Sequence, residues 1–132
     1  MDERVEFVGL DHVQLAAPRG SEGVARNFFN KVLGLQEIPK PANLQKRGGV
    51  WFRIGAQELH IGMVDPKEFR PNAKAHPALE VNDIMKLKEV LQSKGVVVRD
   101  VETLEYSDRF YSEDPFGNRL EFLQKRSSGI HG

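Results

Sequence analysis

The sequence predicts an α+β fold made of two tandem modules, each reading strand, helix, strand, strand, strand. Two observations predict it. The order of elements in the first half recurs in the second. The spacing between matching polar residues is also nearly constant: His12 and His76 lie 64 residues apart, and Glu58 and Glu121 lie 63 apart. Direct identity between the halves is low, so the repeat rests on order and spacing.

The elements follow in chain order. Residues 5–17, VEFVGLDHVQLAA, alternate as a strand does, with Val13 and Leu15 opposing His12 and Gln14. Pro18, Gly20 and Ser21 mark a turn. Residues 22–33 carry Val24, Phe28 and Val32 beside Ala25, Phe29 and Leu33, an apolar stripe at helical spacing. Ser21 suits its start and Gly34 a left-handed stop. A short strand is expected at Leu35–Ile38, then a proline-bearing loop over 40–46. VWFRIG and QELHIGM, joined at Gly55-Ala56, read as a β-hairpin over 50–63. The polar loop 64–74 is the candidate linker.

In the second half, AHPALEV (75–81) is a strand. Asn82 or Asp83 caps a helix to Ser93, with Ile84, Leu87 and Leu91 as its stripe and Gly95 as its stop. VVVRDVE, RFYSE and RLEFLQ are three further strands, the last two joined by the DPFGN turn. A single domain is expected, with modules at about 5–63 and 75–124 and a disordered tail over 125–132 that contains His131.

Composition narrows the function. Lys+Arg and Asp+Glu are both 19, so net charge is zero and a general nucleic-acid partner is not expected. There is no cysteine, which excludes disulfides, thiolate metal sites and cysteine nucleophiles. No apolar run is long enough to cross a bilayer, and the charged start MDERVEF has no signal-peptide core. A cytoplasmic protein without a membrane partner is the expectation.

Strand parity then sorts the side chains. Val50, Phe52, Ile54, Leu59 and Ile61 share one face of the hairpin, and Trp51, Arg53, Glu58 and His60 share the other. His12 and Gln14 oppose Val13 and Leu15; His76 opposes Pro77; Arg109 and Tyr111 oppose Phe110; Glu121 opposes Leu120 and Phe122. Each sheet thus has an apolar face for its helix and a face rich in His, Glu, Arg and aromatic residues. Such a face suits a cavity lining. Imidazoles and carboxylates on converging strands also suit a divalent metal with nitrogen and oxygen ligands, with positions left open for water or substrate. Arg53 and Arg109 have a structural alternative, as ion-pair partners of Glu58, Glu80 or Glu113.

GLDHVQLAA, FFNKVLGL, QELHIG, AHPALEV and EDPFGNRLEF together resemble the vicinal-oxygen-chelate superfamily, over about residues 7–123. That superfamily includes glyoxalase I, fosfomycin-resistance thiol transferases, extradiol dioxygenases and bleomycin-resistance proteins. The resemblance implies two βαβββ modules whose curved mixed sheets enclose a shared cavity, with helices outside. It implies one divalent transition metal (Zn, Ni, Co, Mn or Fe) on His12, His76 and Glu121, with His60 or Glu58 as the fourth ligand. Both lie on one face, and the choice between them stays open. Tyr111 matches a site-facing tyrosine of the fosfomycin branch, whereas Arg109 has no match there, nor is there a clear potassium-binding loop.

The activity this implies is glyoxalase-like lyase or isomerase chemistry on a small, oxygen-bearing, anionic substrate. Glu58, His60 and Tyr111 are then catalytic candidates, and Trp51, Arg53, Arg109 and Gln14 substrate contacts. The alternatives are a metal-free sequestering protein of the bleomycin-resistance type, a metal-dependent dioxygenase, or a fosfomycin-type thiol transferase. A homodimer is the expected assembly.

Overall fold

The computed structural model describes residues 3–126; the expected tail from residue 127 on, including His131, lies outside the described residues. The described residues form two four-stranded mixed sheets. The first contains β1 (His12–Pro18), β2 (Gln36–Ile38), β3 (Val50–Ile54) and β4 (Gln57–Val64), in the order β1-β4-β3-β2. The second contains β5 (Ala78–Glu80), β6 (Val98–Asp100), β7 (Ser107–Glu113) and β8 (Arg119–Lys125), in the matching order β5-β8-β7-β6. In each, the first strand runs parallel to the last and the other pairs are antiparallel. The repeated order read from the sequence is therefore the fold.

The core lies on the apolar parity of both sheets. Leu15, Val50, Phe52, Leu59 and Ile61 are buried on the first, and Phe110, Leu120 and Phe122 on the second. One helix covers each. α1 begins as Glu22–Ala25 and widens into π-helical turns over Arg26–Val32. Hydrogen bonds five residues apart, such as Leu33 N–H to the Phe28 carbonyl, mark the widening. The adjacent Phe28 and Phe29 are both buried, while Val24, expected in the stripe, is half exposed. Ser21 does not cap the helix; its hydroxyl donates to the Pro18 carbonyl instead, closing the preceding turn. α2 (Ile84–Ser93) keeps its expected form, with Asp83 accepting from Lys86 N–H at 3.1 Å and Ile84 and Leu91 buried.

Several expected elements are shorter. The strand read over 5–17 begins only at His12. Parallel pairing sets His12 opposite Glu58, so residues before Asp11 would run past the β3–β4 turn and find no ladder. β5 is confined to 78–80, since Pro77 has no N–H to donate. β6 is likewise confined to 98–100, and part of the 40–46 loop is a 3₁₀ turn, Ala42–Arg47.

Gly49 is a tight point of the first module. Its φ is +91°, and a Cβ there would lie 2.5 Å from the Ile61 carbonyl oxygen. Its N–H donates to the Glu22 carboxylate at 3.0 Å, and that bond holds the Glu22 carboxyl below the usual glutamate range. Gly49→Ala must strain the left-handed backbone and push a neighbouring strand. It should cost about 2–3 kcal/mol in a denaturant titration.

Candidate functional site

The polar faces of the two sheets each carry a histidine beside a glutamate. On the first sheet, β1 and β4 place His12 directly opposite Glu58. His60, two residues along β4, donates through Nε2 to Glu58 Oε1 at 2.9 Å. Its ring is stacked between Trp51 of β3 (centroids 3.8 Å apart, planes 1° apart) and His12 of β1 (4.1 Å, 17°). The His60 side chain is 5% exposed, whereas that of Glu58 is 30% exposed. His12 Nδ1 meets the Asp11 carboxylate at 2.8 Å, so Nε2 is the ring nitrogen without that partner. Gln14 follows His12 on the same face, with its amide over Gly62. Arg53 lies opposite Glu58 and is exposed.

On the second sheet, His76 precedes β5 and reaches Glu121 of β8, Nε2 to Oε1 at 2.9 Å. Glu121 is 9% exposed at its side chain, and its other oxygen meets Arg109 Nη1 at 3.5 Å. Arg109 also donates to the Tyr111 hydroxyl at 3.3 Å and to the Glu102 carbonyl at 2.8 Å. Desolvation opposes its charge, yet the bonds to Tyr111 and Glu121 raise its pKa overall. Tyr111 packs edge-on against His76, centroids 5.2 Å apart. The Arg119 guanidinium sits over the other part of this cluster, 4.8 Å from the Tyr111 centroid.

His76 has a proton shortage. Its Nδ1 faces the Lys74 carbonyl at 2.9 Å and its Nε2 faces the Glu121 carboxylate. Both partners only accept, while a neutral imidazole has one N–H. It can donate to only one of the two, which leaves the other ring nitrogen able to bind a cation alongside the facing oxygen.

A cleft of about 1180 Å³ runs between the first strands of the two sheets, with His12, Gln14, Glu58 and His76 in its lining. Glu121 stands behind His76. Among the described residues, no three His, Asp or Glu side chains of one chain are gathered to hold a metal together. His76 bonds Glu121 on the second sheet; on the first, His60 bonds Glu58 and stacks on His12. The expected structural pairs of Arg109 were Glu58, Glu80 or Glu113; its partner is Glu121, while Glu113 pairs with Arg99 and Glu80 with Lys125. Arg119 was missed in the sequence, although it shares the parity of Glu121 on β8 and was legible there.

Comparison with known proteins agrees with this architecture. Residues 9–122 match the Glyoxalase family, described as the Glyoxalase/Bleomycin resistance protein/Dioxygenase superfamily. A solved structure of a protein assigned to the glyoxalase family from Bacillus anthracis is 46% identical, with a TM-score of 0.87, covering 93% of this chain and 99% of that one. The lactoylglutathione lyase of Agrobacterium tumefaciens is 20% identical (TM-score 0.69, covering 90% and 95%). The fosfomycin resistance protein FosX of Listeria monocytogenes is 14% identical (TM-score 0.70, covering 95% and 98%). These last two share the fold. No curated protein matches the chain.

Proposed function

This chain belongs to the Glyoxalase/Bleomycin resistance protein/Dioxygenase superfamily, and from that premise we propose that it is a divalent-metal-dependent enzyme of the glyoxalase-like type. The observation that carries the reading is the His–Glu pair repeated at matching places of the two sheets, His12 opposite Glu58 and His76 on Glu121. Two imidazoles and two carboxylates suit Zn²⁺, Ni²⁺, Co²⁺, Mn²⁺ or Fe²⁺. The doubled acceptors around His76 fit a cation at that place. When bound, the metal supplies Lewis acidity toward a substrate with two adjacent oxygens.

The chain's own residues supply the rest. Glu58, besides completing the ligand set, would carry the proton between adjacent carbons through its freer oxygen, since it is partly exposed in the cleft and only one of its oxygens is held by His60. Glu121 is committed at both oxygens, to His76 and Arg109. The guanidinium groups of Arg109 and Arg119 around the Tyr111 ring favour an anionic substrate. Arg53, Trp51 and Gln14, on the polar face of the first sheet, would contact the remainder.

The complete site forms between two copies. Among the described residues of one chain, the two His–Glu pairs line or adjoin one cleft but are not gathered into a single metal-holding group. The segment leading into His12 also carries Phe7 and Val8, 93% and 96% exposed, and Val5 and Leu10 beside them. That apolar surface suits cover by a second copy. Mixing tests this. Chains lacking His12 and Glu58, coexpressed with chains lacking His76 and Glu121, should regain metal that neither variant holds alone. A site confined to one chain would regain none.

The activity is tested by loading the protein with each metal and offering hemithioacetals, fosfomycin with a thiol, and catechols. Isomerisation of a hemithioacetal supports the reading. Turnover of catechol or fosfomycin alone replaces it with one of the two other branches. Tight metal-independent binding without turnover would replace it with the sequestering type.

A further inference from the structure

We propose that His60 is a positioning residue, which presets the Glu58 carboxylate and the His12 imidazole as a ready pair of ligands; this rests on the metal-site reading above. A carboxylate can only accept, so the 2.9 Å contact puts the proton on His60 Nε2. The bond occupies one Glu58 oxygen and fixes the direction of the other. The ring cannot easily turn away, because Trp51 stacks on one face at 3.8 Å and His12 on the other at 4.1 Å. With its side chain 5% exposed, His60 is the most enclosed member of the group. The same stack limits rotation of His12, whose Nδ1 is held by Asp11. One histidine therefore restrains two ligands on two different strands.

The second sheet reaches the same end by other means. There the residue two places after Glu121 is Leu123, which cannot hold a carboxylate. Arg109, from the neighbouring strand β7, meets Glu121 instead. Each carboxylate thus has its own fixed cationic or N–H partner, and His60 is the one for Glu58. Outer partners of this kind typically alter metal affinity by about 10–100-fold when removed.

Two substitutions separate the hydrogen bond from the packing. His60→Phe keeps a stacked ring and removes the N–H; His60→Gln keeps an N–H donor and removes the ring. Affinity for Co²⁺ is measured by competition with a chelator, alongside the cobalt absorption spectrum and the melting temperature. The phenylalanine variant should melt near the unaltered protein, bind Co²⁺ at least about 10-fold more weakly and change the spectrum. The glutamine variant should recover affinity to within about 3-fold, a rescue that a purely structural role would not produce. In the metal-free protein labelled with ¹⁵N, the His60 Nε2–H should be a slowly exchanging, downfield signal that Glu58→Ala removes. Its absence from the unaltered protein would overturn the proposal. So would Co²⁺ binding by His60→Phe at unaltered strength, with Glu58→Ala still releasing the metal; the metal-site reading would then survive alone. An unaltered protein that holds no Co²⁺ at all would overturn both.

Discussion

Replacing Glu121 with glutamine should lower divalent-metal affinity by more than about 100-fold while leaving the fold in place. Glu121 is buried between His76 and Arg109 and carries a formal charge that the amide lacks. The amide can still accept from Arg109 through its oxygen, so the polar packing survives in part. Alanine would be a blunter probe, since it leaves the Arg109 guanidinium, 17% exposed, without its carboxylate. His76→Ala should lower metal content in the same way, with less effect on stability because His76 is at the edge of the sheet. Metal content by mass spectrometry and melting temperature on the same samples separate the two effects. Unchanged metal content in both variants would reject these residues as ligands.

The largest effect on stability is expected at Asn118, far from any proposed chemistry. Its side chain is almost wholly buried. Its amide nitrogen donates to the Asp114 carboxylate at 2.9 Å and to the Ala16 carbonyl of β1 at 2.8 Å. Its amide oxygen accepts from Asn72 N–H at 3.0 Å. One residue thus ties the β7–β8 turn, the linker and the first sheet together. Asn118→Ala takes a partner from one buried group, the Asp114 carboxylate, and from two part-buried ones, the Ala16 carbonyl and Asn72 N–H, at about 1–3 kcal/mol for the buried group and less for the others. A loss of about 3–4 kcal/mol is expected, or a melting temperature lower by roughly 10–15 °C. Asn118→Asp keeps the shape but sets a second carboxylate against Asp114.

That substitution has a pH signature. Burial pushes the Asp114 carboxyl up, against the bonds from Asn118 and Phe116 that pull it down. The folded chain therefore binds this proton more tightly than the unfolded chain does. Its contribution favours the fold in acid and is lost as pH rises through the folded pKa. A second carboxylate beside it strengthens that trend. The stability gap between Asn118→Asp and the unaltered protein should be smaller near pH 4 than at pH 7, by chemical denaturation at both values.

The parts legible in the sequence were those that a local period encodes. Alternation placed Trp51, Glu58 and His60 on one face of the hairpin and Phe52, Leu59 and Ile61 on the other, and the ladder keeps that parity. Helical spacing with Asp83 as cap gave α2. Alternation failed at Val5 and Phe7, because it cannot tell whether a partner strand extends far enough; β4 does not. The helix stripe shifted at Val24 because π-turns change the angular step between residues. Among the site residues, parity showed which side chains share a face but not which bind each other. The His60–Glu58 bond and the Trp51–His60–His12 stack depend on rotamers and on pairing across three strands. The DPFGN turn with its following strand was, beside His12, among the most specific pieces of the resemblance, and Asp114 and Asn118 within it serve the joint between modules.

Metal stoichiometry of the unaltered protein is the most direct test. Protein purified without tag or chelator is loaded with Zn²⁺, Ni²⁺ or Co²⁺, dialysed, and assayed for metal and protein together. About one tightly held ion per chain is expected, with His76→Ala and Glu121→Gln near zero under the same dialysis. An unaltered protein that retains no ion after loading would contradict the paired His–Glu groups as a metal centre.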